Sequence, residues 1–274
     1  MLVVKSAKRV LFWSIGIYTL FIAMLFFCQK WIIFKAKPLA HDHEFAFDVP
    51  HREVTFSTQD GGELHGVLFK ADKPKGVVLF YHGQGWDLSK KWRSVARDCL
   101  SRDHDVFVAT YRGFGKSRGT LSYKTLLSDA VATYEFLAQH YPAESIVVYG
   151  RSLGTGPATY VASMFPVQQL ILESPYYSLL DTAISQYPVV PKAILSWILR
   201  FPIRTDQWIR KVVCPIHIFH SSDDAIIPVS SSRRLVGIAD EAESAVYTEI
   251  DDICHDFVIK HPDIQSTLDE ILGN

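Results

Sequence analysis

The seven residues Val148-Tyr149-Gly150-Arg151-Ser152-Leu153-Gly154 constrain the fold more than any other stretch of the chain. An apolar, β-branched run breaks there into Gly-x-Ser-x-Gly, and the residues that follow read as a helix. A serine at such a turn is held in a strained conformation with its hydroxyl at the tip, and small flanking residues let strand and helix approach without a clash. The pentapeptide by itself does not separate a nucleophile from an ordinary strand-to-helix turn. What decides is the context that the rest of the chain supplies.

That context is an alternation of short apolar runs and helical segments. A hairpin is predicted from Glu53 to Ser57 and Glu63 to Lys70, turning at Gln59-Asp60-Gly61-Gly62. Gly76 to Tyr81 is continuously apolar, as in a strand buried on both faces, and leads into His82-Gly83-Gln84-Gly85. A helix follows from about Ser89, its predicted N-cap, to Ser101, and then the apolar run Val106 to Thr110. The next loop, Tyr111-Arg112-Gly113-Phe114-Gly115-Lys116-Ser117, lacks the spacing of a phosphate loop and reads as structural. Its Arg112 is expected to pair with Asp129 on a helix spanning about Tyr123 to His140. Ser145 to Tyr149 then feeds the elbow, the helix after Ser152 runs to about Met164, and Leu170 to Glu173 is another buried strand. Pro215 to His220, a helix from about Ser230 to Ile238, the strand Ala245 to Ile250 and a closing helix from about Asp256 to Leu272 complete the alternation. This is the pattern of a mostly parallel central sheet with helices on both faces.

A chain of 274 residues holds one such domain with an appendage. We place an N-terminal anchor at residues 1–34, a linker at 35–52 and the α/β domain at 53–274, with a lid insertion at about 175–212. Residues 10–27 carry no charge and are long enough to cross a bilayer as one helix. The boundary Leu25-Phe26-Phe27-Cys28-Gln29 offers no small-x-small cleavage site, so the segment is expected to stay as an uncleaved single-pass transmembrane helix. Lys5, Lys8 and Arg9 flank one end and Lys30, Lys35 and Lys37 the other, which sets no orientation. The lid is punctuated by Pro175, Pro188, Pro191 and Pro202, and its stretch from Ala193 to Phe201 is more apolar than one helix face requires.

The balance of 28 basic and 29 acidic residues gives no reason to expect a nucleic-acid surface, which needs a clustered excess of Lys and Arg. Cys28, Cys99, Cys214 and Cys254 form neither a disulfide framework nor a metal-binding spacing.

A serine hydroxyl is a weak nucleophile and needs a base within reach and a third group to orient that base. Downstream of Ser152 the histidines are His217, His220, His255 and His261. Of these, His255 alone falls in the loop after the final strand, where it can reach the C-terminal edge of the sheet. The acid is expected on the loop after His220, where Asp223 and Asp224 compete, with Glu173 as a stand-in. Two backbone N–H groups must meet the oxyanion: that of Leu153, directly after the nucleophile, and that of Gln84, in the loop after an early strand.

With these residues in order, the chain resembles the α/β-hydrolase superfamily and, within it, the membrane-anchored Bem46-like group. The likeness covers about residues 50 to 272. It is carried by Tyr81-His82-Gly83, the loop Tyr111 to Ser117, Gly150-Arg151-Ser152-Leu153-Gly154, Glu173-Ser174-Pro175, and the acid and histidine loops. The resemblance implies the α/β-hydrolase fold. Its pattern His-Gly-x-x-Asp-x-x-x-Pro puts the acid at Asp224. The chain departs from that pattern with Ser221 for the glycine, Cys254 for a glycine before the histidine, and Gln84 where Asn is frequent.

The expectation is a membrane-anchored serine hydrolase acting on an ester or thioester of an acyl or lipid-like substrate, with Ser152, Asp224 and His255 catalytic and no metal or organic cofactor. A serine peptidase of the same fold is the nearest alternative. A non-catalytic, membrane-tethered binding protein on the same scaffold is the other.

Overall fold

The computed structural model describes residues 2–255 and 258–273. Eight strands form one sheet: β1 (His51–Ser57), β2 (Glu63–Phe69), β3 (Gly76–Tyr81), β4 (His104–Ala109), β5 (Ile146–Arg151), β6 (Gln169–Glu173), β7 (Ile216–Ser221) and β8 (Ala245–Ile250). Their spatial order is β1-β2-β4-β3-β5-β6-β7-β8. β2 pairs antiparallel with both β1 and β4, and all pairings from β4 through β8 are parallel. This is the α/β-hydrolase fold.

The helices are α1 (Leu2–Phe27), α2 (Gln29–Phe34), α3 (Leu88–Lys91), α4 (Arg93–Leu100), α5 (Tyr123–Ala138), α6 (Thr155–Ala162), α7 (Leu179–Gln186), α8 (Lys192–Ile198), α9 (Thr205–Trp208), α10 (Ser230–Val236) and α11 (Pro262–Gly273). The predicted closing helix begins at Asp256, outside the described residues; α11 starts at Pro262.

Every residue of β3, β4 and β5 is buried, and successive side chains alternate between two cores. Val77, Leu79, Tyr81, Ile146 and Val148 join Leu126, Ala130 and Tyr134 of α5 and Ala158 and Val161 of α6. Val78, Phe80, Val147 and Tyr149 face the other way, onto Val95, Ala96 and Cys99 of α4 and Ile264 and Leu268 of α11. Because both sheet faces must be dry, these strands read as unbroken apolar runs rather than alternating ones.

Local signals set the helix boundaries. Ser122 caps α5 through a reciprocal capping box with Thr125, and Arg112 meets Asp129 on that helix at 2.8 and 2.7 Å. The predicted cap at Ser89 moves to Asp87, whose carboxylate accepts from the Ser89 amide at 3.1 Å. An anionic acceptor makes the stronger cap, and Ser89 becomes its donor.

Residues 37–39 run beside the loop after β4, with Leu39 N donating to Gly115 O at 2.8 Å and Gly115 N to Lys37 O at 3.0 Å. Further on, Phe47 packs edge-on against Trp92. The bilayer span expected at residues 10–27 is not found: among the described residues no helix is long and apolar enough to cross a membrane. Instead, the C-terminal turns of α1 lie on the segment between β6 and β7. Leu25 is buried with Val190, Leu195 and Ile198, and Phe21 packs on Tyr187. Leu11, Phe12, Trp13, Ile15, Ile17, Leu20 and Phe27 of the same helix stay exposed.

Candidate active site

The β5 strand ends at Arg151, and Ser152 follows with φ of 50°, in the left-handed region. For a residue with a side chain this costs about 1–3 kcal/mol, which the surrounding packing offsets. A Cβ at Gly154 would fall 1.9 Å from the Tyr81 carbonyl oxygen, and one at Gly150 would fall 2.6 Å from Ala158 Cβ. Both glycines of the pentapeptide are therefore required by close approach to β3 and α6. The result projects Ser152, half-buried, at the C-terminal edge of the sheet, where ligands collect in open α/β folds.

His255 lies in the loop after β8. Its Nε2 stands 2.9 Å from Ser152 Oγ, and its Nδ1 stands 2.5 Å from Asp224 Oδ2. Facing a carboxylate, Nδ1 carries the proton, which leaves the Nε2 lone pair directed at the serine hydroxyl. Asp224 is fixed by its own loop: Oδ1 accepts from the amides of Ile226 at 2.8 Å and Ile227 at 2.9 Å. Burial raises the Asp224 carboxyl, but hydrogen bonds from His220 and His255 outweigh it and hold the group far below the usual carboxylate range.

The rival carboxylates are engaged elsewhere. Asp223 is exposed and accepts from the Asp252 amide at 2.9 Å. Glu173, fully buried, accepts from Tyr149 OH at 2.6 Å and pairs with Arg151 at 3.4 Å, beneath the elbow. The structure thus brings Ser152, His255 and Asp224 together and leaves Asp223 and Glu173 outside that chain of contacts.

On the oxyanion side, Gly83 abuts Ser152, since a Cβ there would fall 3.3 Å from Ser152 Cβ. Leu153 opens the turn into α6, where the first amides have no intrahelical acceptor. The Gln84 side chain turns outward: Nε2 donates to Ile32 O at 2.6 Å and Ile33 O at 2.9 Å, and Gly85 N donates to Phe34 O at 2.8 Å. The loop beside Ser152 is thereby bonded to α2. His82 anchors the loop from within, with Nδ1 on Gly83 O at 2.8 Å and burial pushing its pKa down to about 4.

Two residues complete the acid side. The fully buried His220 stands with Nε2 3.1 Å from Asp224 Oδ2 and 3.0 Å from Ile227 O. Both are acceptors, so Nε2 carries the hydrogen, and Nδ1 meets Ser232 Oγ at 2.6 Å. Ser221, which replaces a glycine of the resembled family, donates through its hydroxyl to Ile253 O in the loop that carries His255. Its Oγ also accepts from the Asp223 amide at 3.1 Å. The added hydroxyl ties the acid loop to the histidine loop. Cys254, adjacent to His255, is a free, exposed thiol.

A family model described as serine aminopeptidase, S33, matches residues 72–210. The chain belongs to this α/β-hydrolase family. Curated relatives stand at moderate distance. The lysophosphatidylserine lipase ABHD12 of Danio rerio is 27% identical over 236 residues, covering 77% of this chain and 61% of that relative. The α/β hydrolase domain-containing protein aho-3 of Caenorhabditis elegans is 31% identical over 157 residues, covering 56% of this chain and 45% of that relative. The chain thus spans about six tenths or less of the length of these curated relatives. Among solved structures, an esterase from Pyrococcus furiosus superposes with a TM-score of 0.66 at 18% identity, covering 88% of this chain and 96% of that one. Est1E from Butyrivibrio proteoclasticus, solved with ferulic acid bound, gives 0.60 at 15% identity, covering 79% and 95%. These likenesses establish the fold.

Proposed function

We propose that the protein is a membrane-associated serine hydrolase that cleaves an ester or thioester of a lipid-like acyl substrate through an acyl-enzyme. The observation that carries this reading is the unbroken chain of contacts Ser152–His255–Asp224, at 2.9 and 2.5 Å, at the edge of a sheet of this family's fold.

In this mechanism His255 Nε2 takes the Ser152 proton as Oγ attacks the substrate carbonyl carbon. The amides of Leu153 and Gln84 meet the oxygen that becomes negative. The intermediate collapses with cleavage of the C–O or C–S bond, and His255 returns the proton to the departing alcohol or thiol. Water then attacks the acyl-serine, giving a proton to His255, which passes it to Ser152 Oγ as the carboxylic acid leaves. Asp224 holds the imidazole and stabilises its charged form throughout.

Membrane association rests on α1, whose exposed Leu11, Phe12, Trp13, Ile15, Ile17 and Leu20 are too many for a face left in water. The lipase activity named for the relatives agrees with a lipid-like substrate. A second reading, a peptidase, draws on the aminopeptidase description of the matching family model.

The test is labelling of the full chain by a fluorophosphonate, together with turnover of an ester, thioester and peptide series. The reading expects labelling that Ser152→Ala abolishes and turnover of acyl esters or thioesters. Labelling with cleavage of peptides alone favours the peptidase, and a protein that never labels is a non-catalytic binder.

A further inference from the structure

An apolar cleft takes no part in the active-site contacts. It is a cleft of about 540 Å³, its open side included, between α1 and α2 on one wall and α7 and α8 on the other. Leu25, Ile33, Leu179, Ala183, Leu195 and Ile198 line it. Its lining is predominantly apolar, and two of its polar side chains, Gln29 and Thr182, are already engaged. Gln29, buried in the wall, donates through Nε2 to Ile198 O at 2.6 Å and accepts through Oε1 from Arg200 N at 2.8 Å. Thr182 Oγ1 donates to Ser178 O at 3.2 Å. A ligand in this cleft gains desolvation and dispersion and finds little hydrogen bonding, which suits an alkyl chain and not a peptide backbone.

Both walls connect by short steps to the surroundings of Ser152. On one side, Gln84 of the loop against Ser152 bonds the carbonyls of Ile32 and Ile33. On the other, Tyr176 OH donates to Leu153 O at 3.2 Å, and α7 begins at Leu179, three residues on. The helices that wall the cleft also carry exposed apolar side chains, Leu20 and Phe27 on α1 and Trp197, 84% exposed, on α8.

We propose that this cleft holds the alkyl chain of the substrate, so that the N-terminal helices form one wall of the binding site. The inference rests on the acyl-hydrolase reading above and adds where the chain lies and what sets its length. Burying each methylene is expected to raise kcat/KM about fourfold until the cleft is full.

The experiment has two arms on the full chain in detergent micelles. In the first, kcat/KM is measured for nitrophenyl esters of four to sixteen carbons in wild type and in Ala183→Phe and Leu195→Phe, which fill the cleft. The expected result is a fall of at least tenfold in the ratio of long-chain to short-chain kcat/KM; an unchanged ratio overturns the proposal. The second arm needs no variant. Wild-type protein is labelled with a fluorophosphonate whose long alkyl tail ends in a diazirine, irradiated and mapped. Cross-links within residues 25–33 or 179–199 are expected, and cross-links confined to other segments overturn the assignment. If wild type labels and turns over esters while both arms are negative, the cleft assignment alone fails; if wild type never labels at Ser152, the hydrolase reading fails with it.

Discussion

His220 Nε2 stands 3.1 Å from Asp224 Oδ2, the same oxygen that His255 Nδ1 engages at 2.5 Å. The acid therefore sits between two imidazoles, one turned towards Ser152 and one, fully buried, towards Ser232. The second histidine donates to the carboxylate and fixes where its oxygen points.

Replacing it tests that positioning. In His220→Asn we expect kcat/KM to fall by roughly ten- to a hundredfold and stability by about 1–3 kcal/mol, because a buried acceptor loses its donor. The pH profile separates positioning from simple loosening. His220 helps to hold the Asp224 carboxyl low, so its removal raises that group, and destabilisation of the fold by acid should begin at higher pH than in wild type. A depressed carboxyl stabilises above its unfolded range and loses that contribution as pH falls through the folded value, and the variant should show less of it. An unaltered acid dependence of stability would assign His220 to packing alone.

The adjacent carboxylates should differ sharply. Asp224→Asn is expected to lower kcat by about 10⁴, because the amide cannot hold the imidazole in the required tautomer. Asp223→Asn, whose carboxylate accepts from the Asp252 amide and lies outside the Ser152–His255–Asp224 contacts, should cost less than about threefold. Steady-state kinetics on one ester decides between them.

Gly154→Ala should be among the most damaging single methyl additions in the domain. Its Cβ would meet the Tyr81 carbonyl at 1.9 Å, and neither β3 nor the turn can move without breaking the pairing of β3 with β5. We expect a loss of about 3 kcal/mol or more, or no folded protein, read by thermal or urea unfolding.

The buried His82 confers an acid sensitivity of its own. With its folded pKa at about 4 and the unfolded value near 6.5, the unfolded state binds more protons between those limits. Stability is then unaffected above about pH 6.5 and falls by about 1.4 kcal/mol per unit as pH drops towards 4. His82→Gln starts lower at pH 7, since the ring packs on Tyr111 and Phe114, but its urea midpoint should vary less between pH 7 and pH 5 than that of wild type.

Gln29→Met keeps the volume and removes both ends of the amide clamp. The freed Ile198 carbonyl and Arg200 amide should cost about 1–3 kcal/mol, seen as faster hydrogen exchange over α8 with the central strands unchanged.

The sheet was legible in the sequence because β3, β5 and β6 are buried on both faces and leave uninterrupted apolar runs. Arg112 with Asp129 was legible for a similar reason, being a charged pair between neighbouring elements. Choosing between Asp223 and Asp224 needed the resemblance, since two adjacent carboxylates on one loop differ only in direction. His220 sits at the end of β7 with no local sequence signal that marks a histidine bonded to the acid and not to Ser152. The packing of α1 and α2 on the segment between β6 and β7 was also hidden. Gln29 and Gln84 make their contacts at sequence separations of 169 and 52, with amide side chains that carry no periodic signal.

The placement of α2 bears on how such a protein is prepared. Trimming residues 1–34 to gain solubility would take away Phe34, which is fully buried against Phe201 and Tyr111, and leave Gln84 with neither of its carbonyl acceptors. The shortened protein would present Leu195 and Ile198 to water beside a loosened loop next to Ser152. Low activity or aggregation in that form would measure the trimming, and kinetic comparisons should be made on the chain with its N-terminal helices in place.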